Sequence, residues 1–255
     1  MIVLFQFNGQ IYLWGNIAPY VISYYHHFGG KDGAGEPVNL FDAVLFLPIC
    51  YMIMMFMNPT GAFLTKILHP KILIGVGSLI GVIACLIAAR CTTFFNFILA
   101  YNVLQNLGVG LCYFPPLICG WEWLPNRRGI ATGIILGAYG FSGFIFSYIS
   151  LFIVNPNNVP PIIYPNGDMF YTEDVAAKVP FLLKIFAGIF GCLGLISTCL
   201  IKRNPDFVDA APLQESKLTI FQAVRDRAFI LICLLDFCTI LPLVYIAGTF
   251  KAMGM

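Results

Sequence analysis

Seven long apolar segments follow one another along the chain, separated by short polar or basic stretches. Each is about 20 residues long or longer, the length that an α-helix needs to cross the hydrocarbon core of a bilayer. The pattern therefore predicts an all-α, polytopic bundle of membrane-spanning helices. The predicted spans are roughly residues 5–27, 41–63, 71–90, 94–118, 128–154, 179–201 and 228–250.

The fourth and fifth segments differ in the residues that share a face. At about 100° per residue, Asn102, Asn106 and Tyr113 form one polar stripe on the fourth segment. Glycines line one side of the fifth segment, at the small-xxx-small spacing that lets helices approach closely in lipid. We therefore expect the fourth helix to face a polar space and the fifth to pack tightly, so that Gly133→Leu or Gly137→Leu destabilises the fold. The glycines are Gly129, Gly133, Gly137, Gly140 and Gly143.

The first segment also carries polar residues on one face. Tyr12, Asn16 and Ser23 lie within about 40° of one another by the helical period. Polar residues inside a span usually face the bundle interior or a cavity. Hydrogen bonding between helices and lining of a cavity are both open interpretations for this face. The predicted substrate pathway comprises Tyr12, Asn16, Asn102, Asn106, Tyr113 and, as a weaker candidate, Tyr139.

Composition agrees with a protein that resides in a bilayer. Hydrophobic residues make up 59% of the chain and charged residues 10%, whereas about a quarter of the residues in soluble domains are charged. The nine cysteines lie in or at the ends of apolar segments, without the spacing of a metal site. No catalytic triad, nucleophile elbow or P-loop is present. The sequence thus predicts a multi-pass integral membrane protein that is not an enzyme, with no metal, no cofactor and no nucleic-acid partner, and leaves open which membrane holds it.

Basic residues are unevenly divided between the two predicted sides of the membrane. Nine lie in the even-numbered connections, including Lys66, Lys71, Arg127 and Arg128, and five lie on the opposite side. Because cytoplasmic loops carry an excess of lysine and arginine, the nine-residue side is expected to face the cytoplasm. The N-terminus is expected on that side as well.

The hinge between the fourth and fifth segments carries a recognisable run of residues. The run reads Trp123-Leu-Pro125-x-Arg127-Arg128-Gly129-x-Ala131-x-Gly133. It follows four further residues in the fourth segment, Tyr101, Gly108, Gly110 and Tyr113. This run resembles helices four and five of major facilitator superfamily transporters. It is most similar to their oxalate/formate antiporter and monocarboxylate-transporter-like branch, with Leu124 where an aromatic residue recurs.

The loop between the second and third segments is similar to the signature loop of the same superfamily. The similarity rests on Gly61, Lys66 and Lys71, whereas Thr65 stands where the signature has an acidic residue. Leu68 and Pro70 are further departures. Because that acidic residue normally supports a latch of ion pairs and a helix dipole, its loss puts the latch in doubt.

The resemblance implies a fold of twelve helices in two halves, with the substrate near the midplane between them. Residues 1–201 would form the N-terminal six-helix half, residues 202–227 the cytoplasmic loop between halves, and residues 228–255 the first helix of a second half. The chain would then be either a truncated form of such a transporter or a short protein that cannot form a complete site alone. Asp236, inside the seventh segment, is a candidate for proton coupling or gating, and a structural ion pair with a cation on a helix of the second half is the alternative.

The function implied by the resemblance is secondary active transport of small organic anions, such as mono- or dicarboxylates, by alternating access. A proton or a counter-anion would accompany the substrate, and the cation that neutralises the anion would come from the second half. The alternative is a membrane scaffold or accessory subunit that does not transport. Such a subunit would associate with a second half or a larger membrane complex.

Overall fold

The computed structural model describes residues 2–31, 37–38, 40–164, 168–209, 225–227, 230–231, 234–235 and 238, with side chains in the first helix from Leu13 onward. Long helices dominate this part of the chain. They confirm the all-α, polytopic class. The α-helices are α1 (Ile2–Phe28), α2 (Phe46–Ile67), α3 (Pro70–Ala88), α4 (Phe94–Phe97), α5 (Gln105–Trp123), α6 (Arg128–Val154), α7 (Glu173–Ala176), α8 (Val179–Leu200) and α9 (Pro205–Asp209).

Irregular helical turns join some of these elements. A 3₁₀-helix at Leu40–Leu45 leads into α2, and another at Pro125–Arg127 leads into α6. A π-helix at Ile98–Leu104 connects α4 to α5, so the fourth predicted span is one continuous helix of three parts. Most of the seventh predicted span, 228–250, lies outside the described residues.

Five of the described helical segments are long and apolar enough to cross a membrane. Each spans at least 19 residues, and the most apolar have a mean hydropathy of 2.4 and 2.2. The remaining long helix, α1, is 27 residues in length. The five segments are Asp42–Ile67, Pro70–Ala88, Phe94–Trp123, Pro125–Val154 and Glu173–Leu200.

The long helices pack in pairs around a shared interior. α1 lies against α6, α2 lies against α5, and α3 contacts both α5 and α8. Glycine permits the closest of these approaches. A Cβ on Gly61 would overlap the carbonyl oxygen of Gly110, and one on Gly108 would lie 2.6 Å from the carbonyl oxygen of Gly77. In lipid, where burial of apolar surface does not drive helices together, this closeness supplies the van der Waals contact that holds them.

Aromatic rings fill the centre between these helices. The indole of Trp14 stacks on Phe46 with centroids 3.7 Å apart and planes at 9°. Phe146 of α6 meets Phe186 and Phe190 of α8 edge-on, at 5.6 and 5.4 Å. Trp14, Phe46, Phe146, Phe186 and Phe190 are all at most 1% exposed. These ring contacts join α1 to α2 and α6 to α8.

A short antiparallel hairpin lies over the end of α1. Its strands, β1 (Ile162–Ile163) and β2 (Met169–Phe170), pair Ile162 with Phe170. We call residues 155–164 and 168–172 the hairpin cap. The amide of Tyr171 donates to Ser23 Oγ at 2.9 Å, and His27 Nε2 lies 2.8 Å from the Tyr171 carbonyl oxygen. The cap is therefore attached to the last two turns of α1.

The glycine face of α6 differs from the expectation of tight packing. Gly133, Gly137 and Gly140 are exposed, and a Cβ on any of them or on Gly129 would meet no described atom within 4 Å. The expectation that Gly133→Leu or Gly137→Leu displaces a neighbouring helix was therefore wrong for the described bundle. The glycine spacing that permits close approach is present, but no helix of the described part of the chain packs on Gly129, Gly133, Gly137 or Gly140.

Candidate functional site

A groove between α1 and α6, beside the hairpin cap, is a concave feature of a size that suits a small ligand. Its volume is about 690 Å³. It runs along α6 from Gly140 to Leu151, a length of about 16 Å at 1.5 Å per residue. We call it the α1–α6 groove. Its lining includes Asn16, Tyr20, Gly140, Ser147, Tyr148 and Tyr171.

Polar groups lie along the groove and at its cap end. Between Gly140 and the cap end, Asn16 Nδ2 donates to Ser147 Oγ at 2.6 Å and links the two helices. At the cap end, Tyr20 hydrogen-bonds with the side chains of Asn155 and Tyr171. Asn158, which also lines this end, has a φ of 49°, and asparagine tolerates that left-handed conformation better than most residues. The groove thus offers hydroxyl and amide groups for recognition of a polar ligand.

No charged side chain lines the groove among the described residues. Burial raises the pKa of the Tyr171 hydroxyl, with its neighbour Tyr20 adding to the shift. This hydroxyl therefore stays protonated at physiological pH. The groove is a neutral surface, and a ligand that enters it meets dipoles rather than a resident charge.

Two of the predicted pathway residues contact each other between α5 and α6, outside the α1–α6 groove. The rings of Tyr113 on α5 and Tyr139 on α6 meet edge-on, with centroids 6.2 Å apart at 89°. Both are partly buried. Tyr139 directly precedes Gly140 of the groove along α6. The structure therefore brings Tyr113 and Tyr139 together and places Asn16 in the groove.

Asn102 and Asn106 lie in the interface between α5 and α2 rather than on the groove. Asn102 Nδ2 donates to the Phe46 carbonyl oxygen at 2.7 Å, and Asn106 Nδ2 donates to Asn102 Oδ1 at 2.8 Å. Asn106 Oδ1 accepts from Cys50 Sγ at 3.1 Å. Both asparagines are at most 1% exposed. This geometry favours a structural role for the pair, and their place in a pathway stays a prediction.

The other predicted site residues are not all described. The backbone of Tyr12 belongs to α1, but its side chain lies outside the described residues, as does Asp236. Among the residues searched, no group of three or more histidine, cysteine or acidic side chains could hold a metal ion. The description of the α1–α6 groove does not depend on Tyr12 or Asp236, because its lining comes from described side chains.

Known proteins resemble the chain over different stretches, although no model of a protein family matches it. Apicoplast pyruvate carrier 1 of Toxoplasma gondii is 25% identical over 211 residues, 69% of this chain and 38% of that protein. MFS-type transporter opdF of Penicillium oxalicum is 21% identical over 73% of this chain and 39% of its own length. Monocarboxylate transporter 13 of Rattus norvegicus is 27% identical over 39% of this chain and 23% of its own length.

These similarities confirm the resemblance of the chain to major facilitator superfamily transporters and to their monocarboxylate-transporter-like branch. These relatives are named as transporters or carriers rather than as enzymes, which agrees with the prediction from the sequence that the protein is not an enzyme. With the five apolar helices, they support an integral, multi-pass membrane protein. The chain spans less than half the length of each relative given above.

The two loops that resemble the signature loops of this transporter branch lie at the same end of the described bundle. Gly61 is the point where α2 touches α5, while Lys66 is exposed after it. Thr65, which replaces the signature acid, donates to the Gly61 carbonyl oxygen at 2.8 Å. The hydroxyl therefore bonds within its own helix. The remaining signature residues are Lys71, at the start of α3, Arg127, in the turn before α6, and Arg128 and Gly129, at the start of α6.

An ion pair that the sequence reasoning missed lies at this end of the described bundle. Glu122 Oε1 accepts from Arg203 Nη2 at 2.7 Å and from Arg203 Nε at 3.0 Å. The Glu122 side chain is 5% exposed, and its bond raises the pKa of Arg203. The pair links the end of α5 to the segment after α8. The sequence does contain a signal for this pair, because Glu122 is a single acidic residue between Trp121 and Trp123. It was overlooked because the nearby arginines drew more attention.

Proposed function

We propose that this protein is a secondary active transporter of small organic anions, such as mono- or dicarboxylates, that works by alternating access. The observation that carries the proposal is the neutral, hydroxyl- and amide-bearing α1–α6 groove in a bundle related to monocarboxylate transporters. A relative over more than two thirds of the chain is named a pyruvate carrier. That name supports a carboxylate as the substrate.

A neutral surface in the first half suits a site that must be empty for part of each cycle. An unpaired cation buried in a membrane protein would cost several kcal/mol when no anion is present. Hydroxyl and amide groups avoid that cost, because they form hydrogen bonds with one another when empty, as Asn16 and Ser147 do. We propose that the neutralising cation comes from a second half that begins near residue 228. A proton or counter-anion would accompany the substrate.

The division into two halves is part of the same proposal. Residues 1–201 would move as one body, with 202–227 as the connection to the second. Contact of α3 with both α5 and α8 supports the first part. In particular, α3 and α5 cannot shift separately without breaking the contact between Gly77 and Gly108. Asp236 is proposed to couple proton movement to that rearrangement.

Uptake into liposomes tests the transport proposal. Purified full-length protein is reconstituted and supplied with radiolabelled pyruvate or lactate under an imposed pH gradient. We expect saturable uptake, reduced in Asn16→Ala and Tyr113→Ala but retained in Phe152→Ala, an exposed change on α6. Folded, correctly inserted protein that takes up neither acid, nor a dicarboxylate, would contradict the proposal and favour an accessory role.

A further inference from the structure

A second groove lies between the end of α3 and the helix that begins at Phe94. Its volume is about 520 Å³. Among the described residues it shares no lining residue with the α1–α6 groove. We call it the α3–α4 groove. Its lining includes Ile87, Arg90, Thr92, Asn96, Leu99 and Leu104.

Polar and cationic side chains lie at one end of the α3–α4 groove. Arg90 lies just beyond the end of α3, and Thr92 and Asn96 lie on either side of the start of α4. All three residues are exposed. Among the described residues, no acidic side chain lines the groove and none forms an ion pair with Arg90. This end therefore carries one positive charge that no described carboxylate neutralises.

The rest of the α3–α4 groove is apolar and open at the surface of the bundle. Ile87 on α3 is 47% exposed, and Leu99 on the facing helix is 46% exposed. Leu104 continues the same wall and lies about 10 Å farther along the helix than Asn96. The groove is thus amphipathic, with its charge at one end and a short apolar channel leading away from it.

The length of α3 places the two parts of this groove at different depths in a bilayer. The helix has 19 residues and a mean hydropathy of 2.4. At 1.5 Å per residue it rises about 28 Å, close to the roughly 30 Å of a hydrocarbon core. Arg90, just past its end, is therefore at the level of the lipid head groups. Ile87, Leu99 and Leu104 are at the level of the acyl chains.

We propose that the α3–α4 groove binds an anionic phospholipid. Its phosphate lies against Arg90, and one acyl chain lies along Ile87, Leu99 and Leu104. The guanidinium suits this role, because its planar fork of N–H donors matches the oxygens of a phosphate. A zwitterionic lipid fits less well, since its own cation finds no acidic partner among the described lining residues. The site is separate from the proposed transport pathway and does not depend on which substrate is carried.

Two charge-removing substitutions test the head-group contact. Arg90→Gln removes the cation from the groove, while Lys184→Gln removes an exposed cation of α8 that does not line it. Purified full-length protein in a nonionic detergent is titrated with phosphatidylglycerol or phosphatidylcholine, and bound lipid is counted by native mass spectrometry. Thermal unfolding first verifies that each variant is folded.

Arg90→Gln should weaken phosphatidylglycerol binding by about tenfold or more, because a charged hydrogen-bonding partner is lost. Lys184→Gln should leave that binding within about twofold. Phosphatidylcholine should bind the unaltered protein more weakly than phosphatidylglycerol does. Equal losses in the two variants, or equal binding of the two lipids, would overturn the inference, since the lipid would then respond only to the net charge or to the general surface.

Two tryptophan substitutions test the acyl-chain contact. Leu99→Trp fills the apolar channel, while Leu79→Trp adds the same ring at an exposed position of α3 outside it. Leu99→Trp should weaken phosphatidylglycerol binding by about fivefold or more, because less apolar area is then buried, and Leu79→Trp should not. Equal effects would mean that the lipid lies on the whole helix surface, contrary to the inference.

Glycerophosphate, which has the phosphate without the chains, separates a lipid site from a site for a free phosphate compound. It should not displace phosphatidylglycerol at concentrations at which the lipid saturates the protein. Displacement at those concentrations would overturn the assignment to a lipid.

Discussion

The neighbouring helices α5 and α6 both carry rows of glycine, but the two rows differ in their contacts within the described part of the chain. Gly108 and Gly110 of α5 lie against the backbones of α3 and α2. Gly133 and Gly137 of α6 have no described atom within 4 Å of an added Cβ. Small residues at four-residue spacing permit close approach, but a facing helix must be present to use it.

The polar side chains of the two helices differ in the same way. Those on α5 bond to other elements, as Glu122 does with Arg203. Those on α6 mostly bond to their own backbone: Thr132 to the Arg128 carbonyl oxygen and Ser147 to that of Gly143, at 2.9 and 2.7 Å. Thus α5 is held by its partners in the described bundle, whereas α6 keeps a neutral face for the groove.

The largest expected effect is from bulk at the contact between α5 and α2. In Gly110→Leu the new side chain would overlap Met57 and approach its backbone, which cannot yield without separating the helices. We expect a loss of about 3 kcal/mol or more, seen as little monodisperse protein after detergent extraction. Gly133→Leu serves as the matched control. Extraction of Gly110→Leu at the level of that control would remove the distinction between the two helices.

The ion pair at the end of α5 should have the next largest effect. Arg203→Leu would leave the buried carboxylate of Glu122 without its cation, at a cost of about 1–3 kcal/mol once the partial exposure of the arginine is allowed for. Thermal unfolding in detergent measures the loss. The double variant with Glu122→Gln should recover most of it, because no buried charge then remains. Unchanged stability in Arg203→Leu would mean that the pair contributes nothing.

A smaller loss is expected when the hydrogen bonds between α5 and α2 are removed. Asn106→Leu deletes the bonds to Asn102 and from Cys50, and such bonds in membrane proteins average about 0.6 kcal/mol each. We expect a fall in unfolding temperature of a few degrees. Uptake per folded molecule separates the two roles of this residue. Reduced uptake at unchanged stability would assign Asn106 to the pathway instead.

The smallest effect is expected on the open face of α6. Gly133→Leu and Gly137→Leu should change the stability of residues 1–209 expressed alone by less than about 0.5 kcal/mol, as for other exposed substitutions. In the full-length protein the same substitutions report on what faces α6. Loss of stability there and not in the shorter form would show that a later segment packs on these glycines.

The sequence predicted the helices well, because an apolar run of about 20 residues in lipid has few alternatives to a helix. Which helices pack against each other was harder to predict from the sequence. Gly77 and Gly108 meet through a contact between distant segments, and the period of either helix alone cannot identify its partner. Spacing likewise grouped Asn102 with Tyr113, whereas the structure separates them because the first bonds to α2 and the second faces Tyr139. The hairpin cap depends on Ser23 and His27 reaching a loop more than 140 positions away.

The π-helix at Ile98–Leu104 has a consequence for the evolution of this span. Such a turn holds a surplus residue relative to an α-helix, so one deletion within it would restore regular geometry. That deletion would rotate everything before it by about 100° relative to α5. Phe97, whose ring stacks on Tyr101 at 5.1 Å, would then leave the interior. Insertions and deletions should therefore be rare here even though the helix would continue unbroken. The number of residues in this segment should be as strongly constrained as their identities.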